Sequence, residues 1–419
     1  MIISQIETIR VAQFPDLIFV QVHTDTGLIG LGETWYAATS VESVVHDHFG
    51  PLLVGRDPFE IERHWQTMFR LSDHAGYGGA ELRAISAIDI ALWDIKGQSL
   101  NMPIFEIIGG GTRNRIKVYN TLGVFGEIDE GHKVWTDPVE VVNTLLDQGI
   151  TAIKMSPTDF IARESDGQIL FKDDLDWALR PIREIRETIG MEIDIANDAH
   201  AKWNLPNAIR IVREMEPLRP MWHEELISPL NEEAHRRLQA VTSTPIAAAE
   251  RLMTRYQHRR FIESPSARIS MPDLTWTGGI SEVKKIAVLA SAHQKPIAPH
   301  DSVGPVNMIA CAHIAMATPN VMIMEYNRAM HLGWYRDFIE PDFVIDGGFL
   351  NAPTEPGLGT RLKASVKTRS DATVRTSSER SESWLMSVER YTYPPKNIQG
   401  EFIQSTERRR TGFDASYYD

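Results

Sequence analysis

From residue 116 to residue 324 the chain repeats one grammar: a short apolar run that reads as a strand, then an amphipathic stretch that reads as a helix. The strand candidates are residues 116–119, 152–155, 192–196, 221–223, 246–249, 269–271, 297–299 and 321–324. Helical periods fill the intervals, as at 138–148, 176–189, 206–215, 231–241 and 279–293. Strands that alternate with helices run parallel, because each helix carries the chain back to the same end of the sheet. Eight such units in roughly 240 residues match the size of a closed (β/α)8 barrel. A doubly wound sheet is the alternative.

The residues before this region read differently. Positions 1–35 alternate in strand fashion, with Ile3 and Ile6, then Ile18, Val20 and Val22, and Asp25-Thr26-Gly27 supplies a turn toward Leu31. A helical stripe of Ala84, Ile85, Ile88, Leu92 and Ile95 follows, stopped by Pro103 and the glycines at 109–111. The expected organisation is an α+β domain over 1–115, a barrel over 116–355, and a C-terminal segment over 356–419. That last segment is rich in Ser, Thr and Arg, carries aromatics from Trp384 to Tyr418, and beyond Gly359 holds 11 Lys+Arg against 8 Asp+Glu. It reads as a solvated or partner-packing extension.

Charge narrows the function. A formal charge of −13 repels nucleic acid phosphates and anionic lipid, so an anionic substrate must find locally positive chemistry. The single cysteine, Cys311, sits in an apolar run and reads as a buried filler, which excludes an internal disulfide framework. The opening residues MIISQIETIR lack the build of a signal peptide, and no apolar run reaches the ~20 residues that span a bilayer. A cytoplasmic protein is expected.

Catalytic residues of a barrel stand at the C-terminal ends of its strands. Asp198, Glu224 and Glu250 each close an apolar run, and the two intervals between them are 26 residues each. One βα unit separates each from the next, so the three would line one rim side by side. Three unpaired carboxylates that close repel, and a hard divalent cation, Mg²⁺ rather than zinc for oxygen ligands alone, is the natural way to hold them. Singly, each acid reads better as a helix cap or a surface charge, and it is the three at equal spacing that reverse this. Asp194 competes as a ligand through its strand parity with Asp198, but only Asp198 keeps the equal spacing.

Asp273, His300 and Glu325 close the sixth, seventh and eighth runs. An Asp beside a His on neighbouring strand ends orients the imidazole and raises its basicity, which makes His300 a candidate general base. His200 lies two residues past Asp198 and should face the same cavity from the other side. His223 should point to the opposite face of its strand, and His235 and His313 read as helix residues.

The pattern resembles the enolase superfamily, and within it the mandelate racemase-like subgroup, over about residues 1–360. Besides the acid triad and the Asp273–His300 pair, the likeness is carried by TDTGLIGLGE (24–33), AISAIDIALWDIKG (84–97), PDLTWTGGI (272–280), PIAPHD (296–301) and EPGLG (355–359). The resemblance implies a modified TIM barrel closed by an N-terminal capping domain that the C-terminal segment completes, and a homo-oligomeric assembly. Members often carry Lys-x-Lys at the second strand end, where this chain reads Lys154-Met155-Ser156. The base on the second face is therefore missing, which disfavours racemisation. Asp198-Ala199-His200 is instead similar to the Asp-x-His of galactonate dehydratase-type enzymes. Leu226 stands where a proline is usual, and Ala249 where glycine often precedes the third ligand.

What the resemblance implies is dehydration of an acid sugar. Mg²⁺ on Asp198, Glu224 and Glu250 would bind the substrate carboxylate and stabilise the enediolate, with Lys154 on another carboxylate oxygen. His300 would take the α-proton and His200 would protonate the leaving 3-hydroxyl, giving a 2-keto-3-deoxy acid. Glu325, if protonated, would donate a hydrogen bond to the carboxylate. The alternatives are a racemase, epimerase or cycloisomerase of another carboxylate, and a non-catalytic carboxylate sensor. The sugar's identity would lie with residues 14–16 and 72–79 of the capping domain.

Overall fold

The computed structural model describes residues 1–301 and 304–380. At the N-terminus the strands Ile3–Val11, Phe14–Thr24 and Ile29–Trp35 form an antiparallel meander. One face of it lies on the helix Ala80–Leu100, whose Ala84, Ile85, Ile88, Leu92 and Ile95 are all fully buried. The approach is close enough to require glycine. A Cβ on Gly32 would fall 1.8 Å from the carbonyl oxygen of Ala87, and one on Gly30 would fall 2.0 Å from that of Ala91.

The barrel strands run in parallel register through Arg115–Thr121, Ala152–Met155, Asp194–Asp198, His223–Glu224, Ile246–Ala248 and Ile269–Ser270. Met324–Tyr326 pairs in parallel with Arg115–Thr121 and closes the ring. The molecule is thus a TIM-type α/β barrel with an α+β cap, as expected. Two details differ. The seventh run forms no ladder and joins its neighbours through isolated bridges, Ser270 to Ile297 and Ile297 to Val321. A hairpin of Ile345–Asp346 and Phe349–Asn351 also adds an antiparallel strand to the lower end of Arg115–Thr121.

The third strand lies two residues later than the hydrophobic run predicts, at Asp194–Asp198 rather than 192–196. Its first residue, Asp194, is half-exposed at the far end of the barrel and faces Lys117 at 3.6 Å, so it takes no part in the rim of acids. Inside the ring, Tyr119, Trp222, Met271 and Ile323 pack with Ala152, Ala196, Ala247 and Ala298. Large residues beside alanines fill the barrel as a packed floor beneath the strand ends.

Cap and barrel are tied by buried carboxylates. Asp94 accepts the N–H of Leu31 at 2.9 Å and that of Leu358 at 2.8 Å, linking sheet, helix and the 355–359 turn. Asp89 accepts the N–H and the hydroxyl of Ser281 on the barrel helix Gly279–Ala292, at 3.0 and 2.6 Å. The strand Ala372–Ser377 returns to pair antiparallel with Ile3–Val11. The aromatic residues from Trp384 onward lie outside the described residues. Cys311 is fully buried, as its apolar setting implies.

Candidate active site

Parallel register sets the first two acids side by side, since Asp198 is paired with Glu224 across neighbouring strands. Glu250 follows on the next strand through Ala249, which adopts a left-handed backbone with φ 92°. That conformation favours glycine, and here the N–H of Ala249 is held by Oε1 of Glu225 at 2.9 Å. The departure from glycine therefore leaves the acid at the rim. All three carboxylates are almost wholly buried.

Lys154, at the end of the second strand, stands among them. Its Nζ lies 2.8 Å from Glu224, 3.0 Å from Glu325 and 3.4 Å from Asp198. Among the described residues no three acid, His or Cys side chains converge as a ready-made metal shell, and the ammonium sits between the acids instead. Oδ2 of Asp198 and Oε2 of Glu250 are nevertheless buried without a hydrogen-bond partner. Burial, together with Asp198, Glu325 and Glu250, pushes the Glu224 carboxyl up to about 8 despite Lys154.

His300 and Asp273 meet at 2.8 Å through Nδ1 and Oδ2, and the other oxygen of Asp273 accepts the N–H and hydroxyl of Thr275 at 2.8 and 2.7 Å. Nε2 of His300 is thereby aimed inward, 3.5 Å from Glu250. Burial by itself lowers the imidazole pKa, but Glu250, Glu325 and Asp273 reverse this and carry it up to about 10. Trp276 covers the ring at 5.0 Å.

His200 reaches the opposite end of the row of acids, with Nε2 3.3 Å from Asp198. Its backbone and that of Ala201 are both left-handed, φ 46° and 60°, and the N–H of Ala201 is held by the carbonyl of Glu225 at 2.6 Å. Burial works to lower its pKa, and Asp198 and Asp159 outweigh it, raising the value to about 9. Glu325 accepts from Thr121 and from the N–H of Asp301 at 2.9 Å, beside Lys154. Burial pushes its pKa up, but Lys154, His300 and these donors prevail and lower it, so the group is held as an anion and accepts rather than donates.

Sequence reasoning missed four contributors. Trp222 bonds Glu224 from the barrel floor, Arg251 bridges Glu225 and Glu250, Thr121 bonds Glu325, and Asp159 bonds His200. Only Trp222 carried a signal, as a polar-edged aromatic two positions before a strand-end acid. His223 turns away from the site to Asn197 at 3.2 Å, as its parity predicts.

Comparison with known proteins gives the family of this capped barrel. Residues 138–366 match the family described as enolase C-terminal domain-like, and residues 6–109 match the mandelate racemase / muconate lactonizing enzyme N-terminal domain. A D-galactonate dehydratase of Variovorax paradoxus is 35% identical over 367 residues, 86% of this chain and 92% of that protein. A solved mandelate racemase-subgroup enolase from Agrobacterium tumefaciens is 36% identical with a TM-score of 0.84, over 90% of this chain and 99% of that one. An enolase superfamily member from Salmonella Typhimurium is 28% identical with a TM-score of 0.82, over the same shares.

The protein is therefore an enzyme with a capped barrel and a strand-end acid site, of the lyase class. The chain belongs to the enolase superfamily, in its mandelate racemase / muconate lactonizing enzyme branch, and is galactonate dehydratase-like.

Proposed function

We propose that this enzyme dehydrates an acid sugar, an aldonate or aldarate, by removing the proton α to the carboxylate and expelling the 3-hydroxyl. The observation that carries this reading is the pair of histidines at the two ends of the acid row, His300 beside Glu250 and His200 beside Asp198. The D-galactonate dehydratase relative supports the same reaction class.

The donor set fits a hard divalent cation, with three buried carboxylates and two oxygens lacking a hydrogen-bond partner. Asp198, Glu224 and Glu250 would hold Mg²⁺. When bound it supplies positive charge to a substrate carboxylate that must accept a second negative charge. With the charge of the acids that raises its pKa taken up by the cation, His300 would be neutral and would take the α-proton at Nε2, Asp273 fixing the other ring nitrogen and Trp276 packing on the ring. Lys154 offers a buried ammonium on the same carboxylate, while Glu325, as an anion, anchors that ammonium. His200 delivers a proton to the 3-hydroxyl as the C3–O bond breaks, its electron pair leaving with the oxygen as water. The enol left behind tautomerises to the 2-keto-3-deoxy acid.

The second strand ends Lys154-Met155-Ser156 and offers no amine base on the other face, which favours elimination over inversion. A small-molecule carboxylate substrate, a cytoplasmic address and a homo-oligomeric state complete the proposal. No helix among the described residues is long and apolar enough to cross a membrane. The test is a panel of aldonic and aldaric acids supplied with Mg²⁺ and assayed for 2-keto acid. At least one should turn over, and α-proton exchange without keto acid across the whole panel would replace dehydration by another enolisation reaction.

A further inference from the structure

Asp159 opens the short helix Asp159–Arg163, in the long loop after the second barrel strand. The sequence marks that loop, residues 156–171, only by its length and its place at the active-site end of a barrel. Oδ2 of Asp159 accepts from Nδ1 of His200 at 2.7 Å and also from the Lys202 ammonium, while its Oδ1 is buried without a partner. His200 Nε2 is thereby left facing Asp198.

The carrier of Asp159 is stitched to the carrier of His200 on both sides of this contact. Trp203, buried, donates its indole N–H to Oγ1 of Thr158 at 3.1 Å. Gly167 packs so tightly against the same segment that a Cβ there would fall 1.7 Å from the carbonyl oxygen of Lys202. The carbonyl of Gly167 also accepts from Asn207 Nδ2 at 3.1 Å. Two loops from different strands are thus fixed to one another around a single carboxylate–imidazole pair. A side chain only needed for solubility would not be held this way, and His200 itself has 41% of its side chain exposed.

We infer that Asp159 is the positioning residue of the acid step, holding His200 through Nδ1–H so that Nε2 is the atom presented to the leaving hydroxyl. The role rests on the dehydratase reading and deepens it: Asp159 does for the acid what Asp273 does for the base. The Lys202 ammonium shares the same Asp159 oxygen, so two donors from the His200 segment converge on it. When His200 has given up its Nε2 proton, the proton on Nδ1 remains on Asp159's side, and the neutral ring stays in the orientation needed for reprotonation.

The test uses the full-length protein with Mg²⁺, wild type, Asp159→Asn and Asp159→Glu, and two readouts. In deuterated water with an acid sugar that the wild type dehydrates, Asp159→Asn should lower kcat for 2-keto acid by about 10–100-fold with little change in KM. The ratio of C2 exchange to dehydration should rise at least tenfold, because the base is untouched, and Asp159→Glu should restore part of kcat. In parallel, ¹⁵N spectra of histidine-labelled protein without substrate, recorded at a pH high enough that the His200 ring is neutral, should show its Nδ1–H tautomer in the wild type and the loss or mixing of that tautomer in Asp159→Asn. Exchange and dehydration falling together, or an unchanged His200 tautomer in Asp159→Asn, would overturn the inference. If no acid sugar yields a keto acid with the wild type, the dehydratase reading fails by itself, and the ¹⁵N spectra still decide whether Asp159 sets the ring.

Discussion

Trp222 donates its indole N–H to Oε2 of Glu224 at 3.1 Å from only two residues earlier in the chain, while Lys154 holds Oε1 at 2.8 Å. Both oxygens of the middle acid are thus oriented from below and from the side. Asp198 and Glu250, by contrast, each keep an oxygen without a hydrogen-bond partner. The row is built around its centre.

Replacing that centre should therefore be costly. Glu224→Gln keeps the shape and the Trp222 contact but removes a charge, and should weaken Mg²⁺ binding at least tenfold by calorimetry and abolish turnover. Undiminished activity in a chelated preparation of the wild type would remove the metal from the mechanism.

The two histidines are assigned to different steps, so their variants should part company. In deuterated water His300→Asn should lose both C2 exchange and dehydration, since no base remains on that face. His200→Asn should lose dehydration by about 10²–10⁴-fold yet retain slow exchange, with Mg²⁺ occupancy checked alongside. Normal dehydration by His200→Asn, or wild-type exchange by His300→Asn, would reverse or cancel the roles.

Asp89 predicts a pH effect on stability remote from the active site. Burial, opposed by the two Ser281 bonds, raises its carboxyl from 3.8 to about 7. Between those values the folded chain binds more protons than the unfolded one, so this group's contribution to stability falls as pH rises through the window. Asp89→Asn, which carries no charge, should gain in Tm relative to wild type on going from pH 5 to pH 8. A Tm difference that stays constant over that range would show that Asp89 does not titrate there.

Oligomerisation can be separated from cap integrity by choosing where to cut. Removal of residues beyond 380 spares the strand Ala372–Ser377, whereas removal beyond 359 takes it away. Light scattering should give a homo-oligomer for the full chain. Loss of assembly only with the longer deletion would tie the state to the cap sheet, and loss with the shorter one to the residues from 381 onward. A monomeric full chain would refute the assembly outright.

Much of this architecture was legible in the sequence because it rests on period. The two 26-residue intervals from Asp198 to Glu250 repeat one βα unit, and a barrel turns equal spacing along the chain into adjacency at one rim. Asp194 breaks that equal spacing, and its place on the strand gives the physical reason. The strand begins at Asp194 rather than 192, which leaves that carboxylate at the opposite mouth. The seventh strand was read as a ladder, yet Pro296 and Pro299 flank Ile297 and Ala298, and each proline lacks the N–H that a ladder uses. Asp159 and Thr121 were invisible because each acts across loops or between strands that are distant in sequence. Such contacts leave no periodic trace.

The edge of the cap sheet is supplied by residues 372–377, the last strand of the described chain, against its first, with Ile6 opposite Ser377. On the ribosome this means that the outer backbone edge of Ile3–Val11 stays open while the entire barrel is made. At about 5–20 residues per second that exposure lasts on the order of tens of seconds. An open edge can recruit a neighbouring nascent chain as its missing strand. Glu7 and Arg10, which line this first strand, place charge along the edge during that interval. The last strand to emerge is thus the one that ends the vulnerability of the first, and synthesis order becomes a constraint on how crowded a polysome of this protein can be.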